Sequence, residues 1–155
     1  MSAQHGVDPR GPRFGAGITV VLLLIVIGLA LGGLPVAALV IFTAQTLLFA
    51  WGAFAGVARH PFGLLFTRLV RPRLKPPSEL EDPTPPTFAQ GVGLVITAVC
   101  VILTLLGLTL ALPIAAALAF VAAFLNSVFG YCLGCQIYLV LVRARVLGRS
   151  RAASA

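Results

Sequence analysis

The residues best suited to chemistry in this 155-residue chain are two cysteines at a C-x-x-C spacing, Cys132 and Cys135. Such a pair can form a short-loop disulfide, bind a soft metal ion or pass a sulfur atom. If the pair lies on a helix, both thiols share one face, because positions three apart are neighbours there. The leading interpretation is a reactive pair in thiol redox or sulfur transfer, in which Cys132 or Cys135 attacks.

A structural role is the alternative, because small Cys and Gly residues also let helices pack closely. If the pair lies at the C-terminal end of a helix, the helix dipole raises a thiol pKa. We therefore expect a nucleophilic pair only if Gly130 ends the preceding helix and a new helix begins near Cys132. The third cysteine, Cys100, lies deep in an apolar segment and is assigned to the core.

Three further residues are candidates for a supporting role. If the two halves of the chain pack face to face, Arg59 and His60 could approach the cysteines, where a positive charge favours a thiolate. The alternative for His60 is an anchor beside lipid headgroups. Asn126 is polar within an apolar segment, where hydrogen bonding between helices is the alternative to a functional role. We predict no metal site and no bound cofactor.

The composition indicates a membrane protein. Hydrophobic residues make up 59% of the chain and charged residues only 10%, whereas soluble domains carry about 25% charged residues. The net charge of +7 would suit nucleic acid. However, the basic residues lie between long apolar runs, which is typical of positions beside a lipid bilayer, so we exclude a nucleic-acid partner.

Two uncharged runs are each too long for a single crossing, which takes about 20 residues. Turns containing Gly or Pro divide each run, and the predicted spans are 16–31, 35–57, 88–108 and 113 to about 132. A short interfacial helix follows each pair of spans, at 62–70 and 136–147. The predicted fold is therefore an all-α integral membrane protein with four transmembrane helices.

The basic residues predict the orientation. The turns near Gly33 and Thr109 have none, whereas all eleven Lys and Arg flank the other ends of the spans. The positive-inside rule then places both termini and the middle loop in the cytoplasm, at the inner (cytoplasmic) membrane. These residues are Arg10, Arg13, Arg59, Arg68, Arg71, Arg73, Lys75, Arg143, Arg145, Arg149 and Arg151.

The two halves share the pattern D-P-x-x-P-x-F-x-x-G, which begins at Asp8 and at Asp82. After the first turn of each half the best match slips by four residues and aligns Gly52 with Gly130. Because each unit holds two spans, we predict parallel helical-hairpin repeats about an axis along the membrane normal. The predicted segments are a cytoplasmic tail (1–13), repeat one (14–70), a Pro-rich cytoplasmic loop (71–86), repeat two (87–147) and a basic tail (148–155).

The shared motif, His60-Pro61-Phe62, Glu81-Asp82-Pro83 and the stretch 130–135 together resemble a family of small bacterial membrane proteins named domain of unknown function 4395. The resemblance implies a membrane location and brings no established activity. Genes of that family often lie beside genes for thioredoxin-like or sulfurtransferase proteins. The resemblance therefore also implies a thioredoxin-like or sulfurtransferase (rhodanese-like) partner.

A looser similarity is to the quinone-coupled disulfide generators and vitamin K epoxide reductase, which use a C-x-x-C near a membrane face. This similarity is the sole reason to consider a quinone, which is a weak candidate cofactor. The chain departs from these enzymes because its pair is predicted to face the cytoplasm and a second exposed cysteine pair is missing.

The expected function is a cytoplasm-facing membrane thiol protein that exchanges electrons or sulfane sulfur with a thioredoxin-like or rhodanese-like protein. The first alternative is a non-catalytic subunit that docks a soluble or membrane partner through its basic loops. The second is a small-molecule carrier, which is disfavoured because few polar groups line the spans. The sequence leaves open whether the chain is an enzyme and whether it forms a homo-oligomer.

Overall fold

The computed structural model describes residues 6–147, and within them the chain forms helices joined by short connections. The α-helices are α1 (Arg10–Leu31), α2 (Pro35–Ala55), α3 (Pro61–Leu65), α4 (Thr84–Leu105), α5 (Ala111–Phe129) and α6 (Leu133–Arg143). After α3 the backbone continues as a π-helical turn, Phe66–Val70, and a 3₁₀ turn, Arg71–Arg73.

Four of these helices, α1, α2, α4 and α5, are long and apolar enough to cross a membrane. Large apolar side chains on them remain exposed, among them Phe54 at 86% and Leu31 at 76%. In water such a surface would drive association, whereas in a bilayer it faces lipid tails. The prediction of an all-helical chain with four apolar spans is therefore confirmed.

The four long helices pack around one core. The main contacts of α1 are with α5, and those of α2 are with α4. Both pairs run antiparallel: Arg13 at the start of α1 contacts Val128 at the end of α5, and Thr87 at the start of α4 accepts the N–H of Val57 just after α2. The core between them includes Leu23, Phe42 and Cys100. Cys100 is 3% exposed, so its assignment to the core is confirmed.

The first and third spans begin earlier than hydropathy predicted, at Arg10 and Thr84. An aspartate precedes each start: Asp8 Oδ1 accepts the backbone N–H of Arg10 at 3.0 Å, and Asp82 Oδ1 accepts that of Thr84 at 2.8 Å. These carboxylates satisfy N–H groups that a helix start leaves free. The predicted tail and Pro-rich loop therefore contain the first turns of α1 and α4.

The predicted interfacial segments also change in extent. The segment predicted at 62–70 is α3 followed by the π turn, and the segment predicted at 136–147 is α6, which already begins at Leu133. The earlier start matters because it brings Cys135 into the first turn of α6. The predicted basic tail, 148–155, lies outside the described residues.

Four glycines with positive φ mark the helix ends. Gly33 (φ 81°) and Gly107 (φ 99°) follow α1 and α4, and Gly56 (φ 83°) and Gly130 (φ 68°) follow α2 and α5. Each pair is 74 positions apart, so the four-residue slip expected between the halves is wrong for the helix ends. Gly52, which the slip aligned with Gly130, lies inside α2.

Candidate functional site

The cysteine pair follows a sharp break between α5 and α6. Gly130 ends α5 in the left-handed conformation, which glycine adopts without steric cost. The N–H groups of Gly130 and Tyr131 donate to the carbonyl oxygens of Asn126 at 3.0 Å and Leu125 at 3.1 Å. The chain thus leaves the fourth span and begins a new helix at the pair, which is the condition that the sequence set for a nucleophilic thiol.

Cys132 is the N-cap residue of α6. Its backbone is extended (φ −87°, ψ 104°), and its sulfur accepts the N–H of Cys135 at 3.3 Å. Ser, Thr, Asp and Asn usually occupy this position, where an acceptor satisfies a free N–H. The helix dipole also places its positive end there. The fold therefore puts the Cys132 sulfur where a negative charge is stabilised.

The two thiols shift each other's pKa in opposite directions. The neighbouring Cys135 thiol has the largest effect on Cys132 and lowers its pKa; burial opposes this, and the N–H groups of Cys135 and Gly134 assist it. The Cys132 thiol, together with burial, raises the pKa of Cys135. The arrangement therefore favours a thiolate at Cys132 beside a protonated Cys135.

A glycine between the cysteines lets α6 pack closely against α4. A Cβ added at Gly134 would lie 2.5 Å from the Ala89 Cβ and 2.6 Å from its Cα, distances that no side chain tolerates. One turn further along α6, the rings of Tyr138 and Phe88 pack with centroids 5.5 Å apart. These contacts hold the start of α6 against the first turns of α4.

Arg59 and His60 lie in the connection between α2 and α3. His60 caps α3: its Nδ1 accepts the N–H of Phe62, and its protonated Nε2 donates to the Leu48 carbonyl, both at 3.2 Å. Burial lowers the His60 pKa and so favours the neutral ring. The carbonyl of Arg59 accepts the Trp51 indole N–H at 3.1 Å.

These contacts tie both residues to the first half, where α3 packs on α1, whereas the cysteines belong to α6 on α4. Asn126 is half-buried one turn before Gly130 and contributes its backbone carbonyl to the break. A role of Arg59, His60 and Asn126 in the chemistry remains a prediction.

Arg13 is a residue near the site that the sequence did not single out. Its guanidinium donates to the carbonyl oxygens of Ser127 at 3.4 Å and Val128 at 3.2 Å. These carbonyls belong to the last turn of α5, where helices leave acceptors free and attract cations. Arg13 thus holds the end of α5 from α1. Its place in the shared motif, opposite Thr87, was the only available signal.

Among residues 6–147, no three His, Cys, Asp or Glu side chains come together in a group that could hold a metal ion. Neither a curated protein nor a solved structure matches the sequence. One protein family matches over residues 7–143, which is most of the chain. The chain therefore belongs to the family described as Domain of unknown function (DUF4395).

Proposed function

We propose that this protein is a membrane thiol-exchange protein that works through Cys132 and Cys135. The observation that carries the proposal is the position of Cys132, whose sulfur caps the N-terminus of α6. A purely structural cysteine needs no such position. A helix N-terminus is one of the settings that turn a thiol into a nucleophile.

The geometry supports one order of events. The Cys132 thiolate attacks a disulfide R–S–S–R′, forms a Cys132–S–S–R bond and releases R′–S⁻. Cys135 then attacks the Cys132 sulfur, closes the intramolecular disulfide and releases R–S⁻. The pair loses two electrons and the substrate disulfide gains them. Transfer of sulfane sulfur would begin with the same attack by Cys132 on the outer sulfur of a persulfide.

The proposed partner is a soluble thioredoxin-like or rhodanese-like protein in the cytoplasm. The pair lies at the end of the bundle where α1 begins, because Arg13 of α1 contacts the last turn of α5. All eleven basic residues fall outside the two turns at the opposite end. The positive-inside rule supports a cytoplasmic position for this end, at the inner membrane with both termini inside.

The proposal includes two parallel repeats with a constant spacing of 74 residues. The positive-φ glycines support it, and so do the matching caps of Asp8 and Asp82. Core positions recur at the same spacing: Leu23 with Thr97, Val26 with Cys100, Ala38 with Leu112 and Phe42 with Ala116. A parallel repeat places both interfacial helices at one membrane face, and only the second carries thiols.

The test is disulfide exchange in lipid vesicles, with the Cys100→Ala variant as the starting protein. This variant keeps only Cys132 and Cys135. Reduced protein should convert an oxidised thioredoxin-like protein to its dithiol form, and Cys132→Ser should abolish this transfer. If the exchange were equally fast without Cys132, or absent in the starting protein, the thiol proposal would fail and the docking subunit would become the better account.

A further inference from the structure

We infer that Glu81 takes the proton from Cys135 when the cysteine pair closes into a disulfide. The inference rests on the proposed thiol exchange and adds a third residue to it. Its role is to deprotonate Cys135, whose pKa burial raises, and so to make this thiol available as the second nucleophile.

A short backbone pairing fixes the position of Glu81. The N–H of Val7 donates to the Glu81 carbonyl at 2.9 Å, and the N–H of Glu81 donates to the Val7 carbonyl at 3.0 Å. Two residues later Pro83 occupies the N-cap position of α4, which begins at Thr84. Glu81 is thus attached to the start of α4 and tied to the segment that precedes α1.

The cysteine pair is brought to the same place by α6. Gly134, which lies between the cysteines in sequence, touches Ala89 in the second turn of α4. The Cys132 and Cys135 thiols therefore lie beside the first turns of α4, next to the loop that carries Glu81. In agreement with this placement, the Glu81 carboxylate raises the pKa of both thiols through its charge.

Two other acids near this end already have partners. Asp8 forms an ion pair with Arg10 at 2.7 Å, and Asp82 accepts the N–H of Thr84. Between residues 6 and 147, by contrast, the Glu81 side chain is exposed and neither ion-paired nor hydrogen-bonded to a protein group. On α6 the nearest charged residue is Arg143, at the far end of the helix.

In the mixed disulfide, Cys132 is bonded to a partner sulfur and Cys135 carries a proton. Glu81 accepts that proton as the Cys135 sulfur attacks Cys132, and the Cys132–partner bond breaks. The partner leaves as a thiolate and takes the proton from Glu81, so that a thiol is released and the carboxylate is restored.

The test separates the two steps of exchange in the Glu81→Gln variant on the Cys100→Ala background. Alkylation of Cys132 at neutral pH should be as fast as in the parent or faster, because removal of a nearby negative charge favours the thiolate. Closure of a preformed mixed disulfide should be at least about tenfold slower, since a positioned base typically contributes a hundredfold or more and solvent replaces part of it. Raising the pH should reduce the difference in closure rate between Glu81→Gln and the parent, because hydroxide can replace the carboxylate as the base.

Glu79→Gln is the matched control and should change neither rate, whereas Glu81→Asp should restore part of the closure rate. Unchanged closure in Glu81→Gln would overturn the inference. An equal slowing of alkylation and closure would also overturn it, because that result indicates a structural defect. Neither outcome touches the proposed exchange function, which is tested separately by comparing disulfide exchange in the starting protein and in Cys132→Ser.

Discussion

His60 and Cys132 have the same role in the two halves of the chain, as N-cap residues of the helices that follow α2 and α5. His60 caps α3 after Gly56, and Cys132 caps α6 after Gly130. The His60 ring uses both nitrogens for hydrogen bonds to the protein backbone and is buried. Within residues 6–147, the Cys132 sulfur accepts a hydrogen bond from Cys135 of its own motif and is half-buried. Under the proposed function, the capping position is thus structural in one half and reactive in the other.

The two cysteines should therefore behave differently when each is replaced. Cys135→Ser should accumulate a mixed disulfide with a disulfide-containing partner protein, because Cys132 can still attack but nothing resolves the product. Cys132→Ser should trap at least about tenfold less mixed disulfide, since burial still raises the pKa of the remaining Cys135 thiol and keeps it a poor nucleophile. Non-reducing electrophoresis of the complex measures both. Equal trapping by the two variants would contradict the assignment of Cys132 as the attacking residue.

The sequence predicted the cysteine pair but not its cap geometry. The C-x-x-C spacing is visible in the residues themselves, whereas the break depends on the conformation of Gly130, and glycine is also common inside membrane helices. The contact of Arg13 with the end of α5 was equally hidden, because it joins positions more than a hundred residues apart. The local pattern therefore identified the cysteine pair, whereas its surroundings depend on backbone conformation and long-range packing.

Among the helices, the packing of α6 on α4 determines where the cysteine pair lies. Gly134 and Ala89 meet so closely that one methyl group cannot be added between them. Helix boundaries were predicted to within a few residues because hydropathy reports where lipid begins. The predicted starts were late where a polar first turn extends beyond the lipid, as at Arg10 and Thr84.

Gly134→Ala should displace α6 and impair the site. We expect a loss of about 1–3 kcal/mol in the free energy of unfolding, as for other overpacked contacts, and a slower reaction of Cys132 with alkylating agents. The double variant Gly134→Ala with Ala89→Gly should recover part of the stability and part of the Cys132 alkylation rate, because it removes the nearer methyl group. The recovery should be incomplete, because the Cα of residue 89 remains.

Gly91→Ala is the control for that experiment, since a Cβ there meets nothing within 4 Å. It should leave stability and thiol reactivity close to those of the parent. If Gly134→Ala were as harmless as Gly91→Ala, the contact between α6 and α4 would not be what holds the pair in place.

For the whole molecule, the pairing of α1 with α5 and of α2 with α4 places the starts of both halves at one end of the bundle. The starts lie at one end because each half contains two long helices of similar length. The lengths of the two apolar runs in the sequence already indicated this. The spacing of 74 residues between the positive-φ glycines was missed in the sequence because prolines suggested a different alignment after the first turn. Backbone conformation at the glycines is the more reliable marker.

Reporter fusions test the orientation of this bundle. A reporter inserted at Lys75, or fused after Ala155, should be active only as a cytoplasmic fusion, because both sites lie among the basic residues. A reporter at Gly33, between α1 and α2, should be external. An external result at Lys75 would reverse the orientation and remove the cysteine pair from the cytoplasm.

The most direct test of the central claim is the alkylation rate of Cys132 as a function of pH, measured in the Cys100→Ala protein in lipid vesicles. Because its pKa is lowered, the rate should rise with pH at a midpoint below about 8.5, the value of a free cysteine. Cys135→Ala should move the midpoint upward, since it removes the neighbouring thiol that lowers the Cys132 pKa, whereas Cys135→Ser keeps a polar side chain there and should move the midpoint less. A midpoint above about 8.5 that is insensitive to Cys135 would contradict a poised nucleophile at Cys132 and with it the proposed thiol exchange.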